Sequence, residues 1–319
     1  MRTIFLTLTL LVATPVPGQA APVDLRAALA PADKALAAKD YPAAWKAYFR
    51  HAATNPLAQF NLGLFEQQGW GRPADPVAAC AWFDKAAHKE IPAAQQFLGD
   101  CLAQGIGRAV DGPAALDWYA RAAAAGIPAA DCSAGDLYIA GTVVPRDVAR
   151  GLALCTRAAQ AESLPAMLKL ADYYRTGPQA SANLALARYW YDQAAQRHNH
   201  AAQFRLGLMQ SEGEGGPADL AQARFWLEHA AMEGYAPAYL PTAILYANAP
   251  VNPATGALEP GDLAKVYMWN QAAMATTTNP TQLAEIARIA ALVQAAMPAQ
   301  WQPDLDRRVA DHLAKFTVR

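Results

Sequence analysis

Four cysteines and six histidines are the side chains whose type could support covalent or metal chemistry. They are Cys80, Cys101, Cys132 and Cys155, with His51, His88, His198, His200, His229 and His312. A zinc pair on a helix wants histidines four residues apart and a third ligand nearby. His198 and His200 instead flank Asn199, and no third ligand stands beside them in sequence. His51 and His229 sit near the end of a helical pattern, as Lys85 does, where a cation is favoured by the helix dipole. No Gly-rich phosphate loop and no G-x-S-x-G elbow is present. Gly213 and Gly215 follow a helical pattern and do not open one after a strand, so they are no dinucleotide fingerprint. No nucleophile–base pair emerges. The expectation is a protein that is not an enzyme and uses no metal and no cofactor.

Composition narrows the class. The 319 residues carry 26 basic against 27 acidic side chains, so no basic excess argues for nucleic acid. Apolar types make up 54% and charged types only 17%, which excludes a polar disordered chain. Residues 1–20 read as a secretory signal peptide: Arg2, an apolar stretch from Ile4 to Ala13, then Pro15, Pro17 and the small-residue end Gly18-Gln19-Ala20. No later run reaches the roughly 18 apolar residues of a membrane helix. The expectation is an exported protein, periplasmic or secreted.

A repeat organises the rest. Ala86-Ala87, Ala122-Ala123, Ala158-Ala159, Ala194-Ala195 and Ala230-Ala231 recur at a step of 36 residues. Leu62-Gly63, Leu98-Gly99, Ala134-Gly135, Leu170-Ala171, Leu206-Gly207 and Thr242-Ala243 keep the same step. So do Trp82-Phe83, Trp118-Tyr119, Leu154-Cys155, Trp190-Tyr191 and Trp226-Leu227, continued by Trp269-Asn270 after a turn-rich insertion at 248–256. Each unit holds two helical patterns of about 12 residues. Glycine closes the first, and an Asx residue opens the second: Asp75, Asp111, Asp147, Asn183, Asp219 and Asp262. A short carboxylate or amide there satisfies free helix N–H groups. These acids are therefore read as caps. Glycine in mid-helix costs roughly 1 kcal/mol against alanine, so its recurrence implies close helix approach, with the aromatic pair of the second helix filling the space. No lone hairpin buries both its apolar faces, whereas stacked hairpins do. The fold class is all-α, an α-solenoid.

These columns resemble the Sel1-like repeat family, relatives of tetratricopeptide repeats. The second unit shows the pattern in full: Phe97-Leu98-Gly99, Gly105-Ile106-Gly107, Asp111, Ala115, Trp118-Tyr119, Ala122-Ala123 and Gly126. Six units are expected over 57–274, after a tetratricopeptide-like capping hairpin at 21–56 and before capping helices at 275–319. The third and fourth units depart from the pattern. Leu154-Cys155 replaces the aromatic pair and Gln179 a glycine, so these units should pack more loosely.

Residues equidistant from the turn between antiparallel helices lie level. By that count Cys80 is level with Cys101 and Cys132 with Cys155. In an oxidising compartment both pairs are disulfide candidates; buried free thiols are the alternative.

The resemblance further implies that the first helices line a concave face and that the residue after the Leu-Gly pair points into it. That column reads Leu64, Asp100, Asp136, Asp172, Leu208 and Ile244. One turn earlier stand Phe60, Gln96, Cys132, Leu168, Phe204 and Leu240. An acidic centre with apolar ends suits a basic or amphipathic protein segment; a solvated face without a partner stays open. The resemblance supports a scaffold that binds another protein of the envelope, such as a sensor. The alternative is a protein that binds or hydrolyses cell-wall fragments or β-lactams.

Overall fold

The computed structural model describes residues 25–177 and 180–317. The signal-peptide expectation for 1–20 lies outside the described residues. Among those described there are sixteen α-helices, three short 3-10 turns and no strand. None of these helices is long and apolar enough to cross a membrane. The fold is all-α, built from stacked antiparallel hairpins of an α-solenoid.

The chain divides into two compact units, the first ending at Asp111 and the second starting at Gly112. The first holds α1 (Ala30–Ala37), α2 (Tyr41–His51), α3 (Pro56–Gln68), α4 (Pro76–Ala87) and α5 (Pro92–Gln104). The second opens with α6 (Gly112–Ala124), α7 (Ala129–Ala140), α8 (Val148–Gln160), α9 (Leu164–Thr176) and α10 (Ala180–Ala195). It continues through α11 (His200–Glu212), α12 (Leu220–Met232), α13 (Tyr239–Ala247) and α14 (Pro260–Thr276) to α15 (Pro280–Ala296) and α16 (Gln302–Thr317).

Caps set several of the described boundaries. The Asp75 carboxylate accepts from the Val77 and Ala78 N–H groups at 3.0 and 2.9 Å. Asp219 does the same for Ala221 and Gln222, and Asp147 accepts from Arg150. Asp262 departs from its expected role. It lies inside the first turn of α14, because Pro260, whose fixed φ suits the first helical position, starts the helix earlier. Asn183 keeps its expected place: its backbone is non-helical, with φ −128°, at the kink in α10 where a second helical stretch begins. The first helices end on left-handed glycines at Gly69, Gly105, Gly141 and Gly213, with φ between 67 and 73°. A second left-handed position follows the second helices. There Glu90, Glu162 and His198 adopt the conformation that Gly126 and Gly234 adopt at equivalent places.

Close packing runs through the glycine column, and the filler is the second residue of each aromatic pair. Phe83 lies fully buried over Gly63, and Leu227 over Gly207. Trp82 and Trp226 stay half-buried at the edge. The expectation of a looser third unit is overturned. Gly135 faces Gly151 so directly that a Cβ on either would stand 2.5 or 2.6 Å from the other's carbonyl oxygen. Where the aromatic is lost, the backbones themselves close the gap. A further column ties two of the first helices to the preceding turn: Gln59 donates to the Ala52 carbonyl at 2.7 Å, and Gln203 to that of Ala195 at 3.2 Å. Asp131 stands at the equivalent place in the third unit and is held by Arg157 at 2.5 and 2.7 Å.

Candidate functional site

In the first unit the expected face begins on α3. Phe60 and Leu64 are half-buried against a cluster of Ala79, Cys80, Phe83 and Cys101. Phe60 packs between Phe83 and Phe97, with ring centroids 5.8 and 5.9 Å away. Both residues are thus partly spent on the core and offer one flank to solvent. Asp100, on α5, lines a small cavity of about 90 Å³ beside Cys80 and Cys101. Gln96 is half-buried one turn before it.

In the second unit, Asp136 on α7 pairs with Lys169 on the next first helix, α9. Asp172, exposed on α9, accepts a hydrogen bond from the buried Tyr191 hydroxyl. Arg175 donates to the same hydroxyl oxygen at 3.3 Å. Burial, followed by the Asp172 carboxylate, pushes the Tyr191 phenol up to about 12, so it remains a donor at neutral pH. The expected acidic centre therefore carries its own cations here, Lys169 and Arg175. Sequence reasoning passed over both, although Lys169 and Arg175 stand one turn either side of Asp172. Phe204 and Leu208 are half-buried on α11. Phe204 lies 5.6 Å from the Tyr235 ring, and the Arg205 guanidinium lies 5.6 Å above its ring. In the second unit the described residues on α7, α9 and α11 combine carboxylates, cations and an aromatic edge.

The cysteines fall into the pairs that their levels predict. The sulfurs of Cys80 and Cys101, and of Cys132 and Cys155, stand at bonding distance, with Cα separations of 5.9 and 4.0 Å. The Asp136 carboxylate lies close to the second pair. With the sulfurs joined to each other, that carboxylate is the one oxyanion left there to meet a cation, and Lys169 occupies it. Two of the histidines cap the helices that carry them. His229 and His88 each bond through Nδ1 to the carbonyl four residues earlier, at 2.8 and 2.9 Å.

One further cluster joins titratable groups. Tyr246, Glu228 and Lys265 are mutually hydrogen-bonded at 2.6 to 2.9 Å. Burial first, then Glu228, raises the Tyr246 phenol. Burial pulls the Lys265 ammonium down, yet its bonds to Tyr246 and Glu228 outweigh that and leave it raised. A lysine held charged and a phenol held neutral are poised opposite to what proton abstraction near neutral pH requires.

Comparison with known proteins agrees with the repeat register. The family model of the Sel1 repeat matches residues 56–90, 92–127, 128–163, 164–199 and 200–235. Among solved structures, a Sel1 repeat protein from Oxalobacter formigenes is similar at 26% identity and a TM-score of 0.58. That match covers 78% of this chain and 100% of that one. A protective antigen present in uropathogenic Escherichia coli strains, with an SLR fold, aligns at 23% identity and a TM-score of 0.58. It covers 90% of this chain and 69% of the antigen. No curated protein was found similar to the chain.

Proposed function

The chain belongs to the Sel1 repeat family, whose members are generally protein-interaction scaffolds, and from that premise we propose that it is an exported, non-enzymatic scaffold. It engages another protein, an envelope or sensor protein, through the faces of its first helices. The observation that carries this reading is the row on α7 and α9. Asp136, Lys169, Asp172 and Arg175 repeat carboxylate and cation along neighbouring first helices. Half-buried aromatic and aliphatic side chains stand on α3 and α11. Charged rims of this kind set association rate and register, while desolvated apolar anchors supply affinity. The proposed partner is a basic or amphipathic segment; on α7 and α9 it meets Asp136 and Asp172 together with Lys169 and Arg175, so a segment of alternating charge fits that row better than a purely basic one. Export is supported by the leading Arg2–Ala20 pattern and by two cysteine pairs at bonding distance, which persist in oxidising compartments.

The test is crosslinked capture from periplasmic extract, wild type beside the triple variant Asp100→Lys, Asp136→Lys, Asp172→Lys. A partner captured by the wild type and lost by the variant, with helicity retained, is the expected result. A partner held equally by both at low salt rejects this face. Cell fractionation with and without residues 1–20 tests export separately.

A further inference from the structure

We propose that the second unit carries a pocket for a single hydrocarbon chain, lined in part by the insertion that sets the sixth hairpin apart. Between α13 and α14 stand residues 248–259, a connection longer than the turns of the earlier hairpins. This loop is internally tied, with Asn252 as its hub. The Asn252 N–H donates to the Ala257 carbonyl at 2.8 Å, and its carbonyl accepts from Gly256 at 2.8 Å. Its side-chain oxygen accepts from the Ala254 N–H at 2.9 Å, and its amide donates to Glu259 at 3.1 Å. A loop ordered by its own bonds does not have to be ordered by a ligand.

The open-mouthed pocket it helps to line measures about 440 Å³, within the range of ligand pockets. Val251 and Leu258 of the loop line it together with Val266 of α14, Ile289 and Leu292 of α15, and Trp301. Apart from the Trp301 indole, no lining side chain carries a hydrogen-bonding group. Val251 and Leu292 are 50% and 57% exposed, so apolar surface is left wet at the pocket.

Volume and polarity choose the occupant. A cavity of about 150 Å³ holds one benzene ring, so a single protein side chain would leave most of this space empty. A diacyl lipid brings two chains, more hydrocarbon than about 440 Å³ holds. One saturated chain, on the order of a dozen carbons, fills the space and needs no polar contact inside it. Its headgroup stays in water. The pocket lies apart from the α7–α9 row and does not rest on the scaffold reading.

The experiment is a titration of the full chain with alkyl maltosides from octyl to tetradecyl, below their micelle concentrations. Binding is read from Trp301 fluorescence with Trp301→Phe as background. The expected result is saturable binding that tightens about fourfold per added CH₂, then levels once the chain outgrows the pocket. Ala247→Phe, which fills the cavity, should weaken binding about tenfold or more. Leu292→Glu, at an exposed position that folding tolerates, should do the same. Absence of saturation, no dependence on chain length, or full affinity in both variants overturns the assignment. So does flotation with phosphatidylglycerol–phosphatidylethanolamine vesicles in the absence of maltoside binding, which would make the patch a bilayer contact.

Discussion

Glycine does two separate jobs in this chain, and single substitutions tell them apart. At Gly63 the backbone is ordinary helix, and the absent Cβ makes room for the buried Phe83 ring. Gly63→Ala should therefore cost about 1–3 kcal/mol through overpacking, read as a lower midpoint in urea. At the left-handed position after the second helices the demand is on φ. Glu90, exposed there at φ 60°, bears a conformational cost that Gly126 and Gly234 avoid. Glu90→Gly should gain about 0.5 kcal/mol, the left-handed penalty of about 1–2 kcal/mol less the unfolded-state entropy glycine adds. A loss of stability there would show that the side chain holds something more. The glycine jobs were legible in the sequence because a period of 36 repeats them. The left-handed column was not, since Glu90, Glu162 and His198 are types that do not announce a positive φ.

At the scale of the element, α7 and α8 make the tightest hairpin, and it is built from substitutions that read as defects. The missing aromatic is replaced by the Gly135–Gly151 approach, the Cys132–Cys155 pair and the Asp131–Arg157 bidentate bridge. Sequence alone places these residues level but cannot show that two backbones meet, because close approach depends on both helices lacking a side chain at the crossing. The expectation is that thiol counting under denaturant without reductant finds no free thiol. Reduction should then lower stability by on the order of 3 kcal/mol per bridge, the chain-entropy value for loops of this length; four free thiols would overturn both parts. A second element carries a pH dependence. His312 on α16 packs between Trp269, Tyr239 and Phe316, with its Nε2 3.1 Å from the Tyr239 hydroxyl. Burial, aided by Lys315, lowers its pKa below the ordinary 6.5, against a backbone bond to Ala231 that raises it. The folded state thus prefers the neutral ring. Its contribution is present above pH 6.5 and is lost as pH falls through the folded value. Denaturant midpoints measured between pH 7.5 and 5 (on the order of one decade either side of that value) should fall on the acid side. His312→Phe should flatten that part of the profile, and an unchanged slope would assign it to other groups.

Within each unit the contacts run between neighbouring hairpins, and that sets how stability is shared over the whole molecule. In a stacked array each repeat is held by itself and its neighbours, so a local loss is felt locally. The described helices follow this pattern: α3 packs on α4, α4 on α5, α7 on α8, α9 on α10 and α11 on α12. Sequence exposes this architecture readily, because one step repeated through the chain fixes both hairpin length and register. It exposes the sixth hairpin and the loop behind it poorly. There Pro260 and the Asn252 hub replace the shared Asx cap, and no column predicts a pocket lined by an insertion. Local coupling gives a definite forecast for hydrogen exchange. Replacing Cys80 and Cys101 together by serine removes a link between α4 and α5. Exchange should rise by roughly tenfold or more in α3 to α5, as expected for a loss of over 1.4 kcal/mol that is confined there. It should stay at the wild-type level in α13 to α16. If instead exchange rises equally in α14, whose Trp269 and Asn270 are buried in the second unit, the chain unfolds as one cooperative body and the nearest-neighbour account fails.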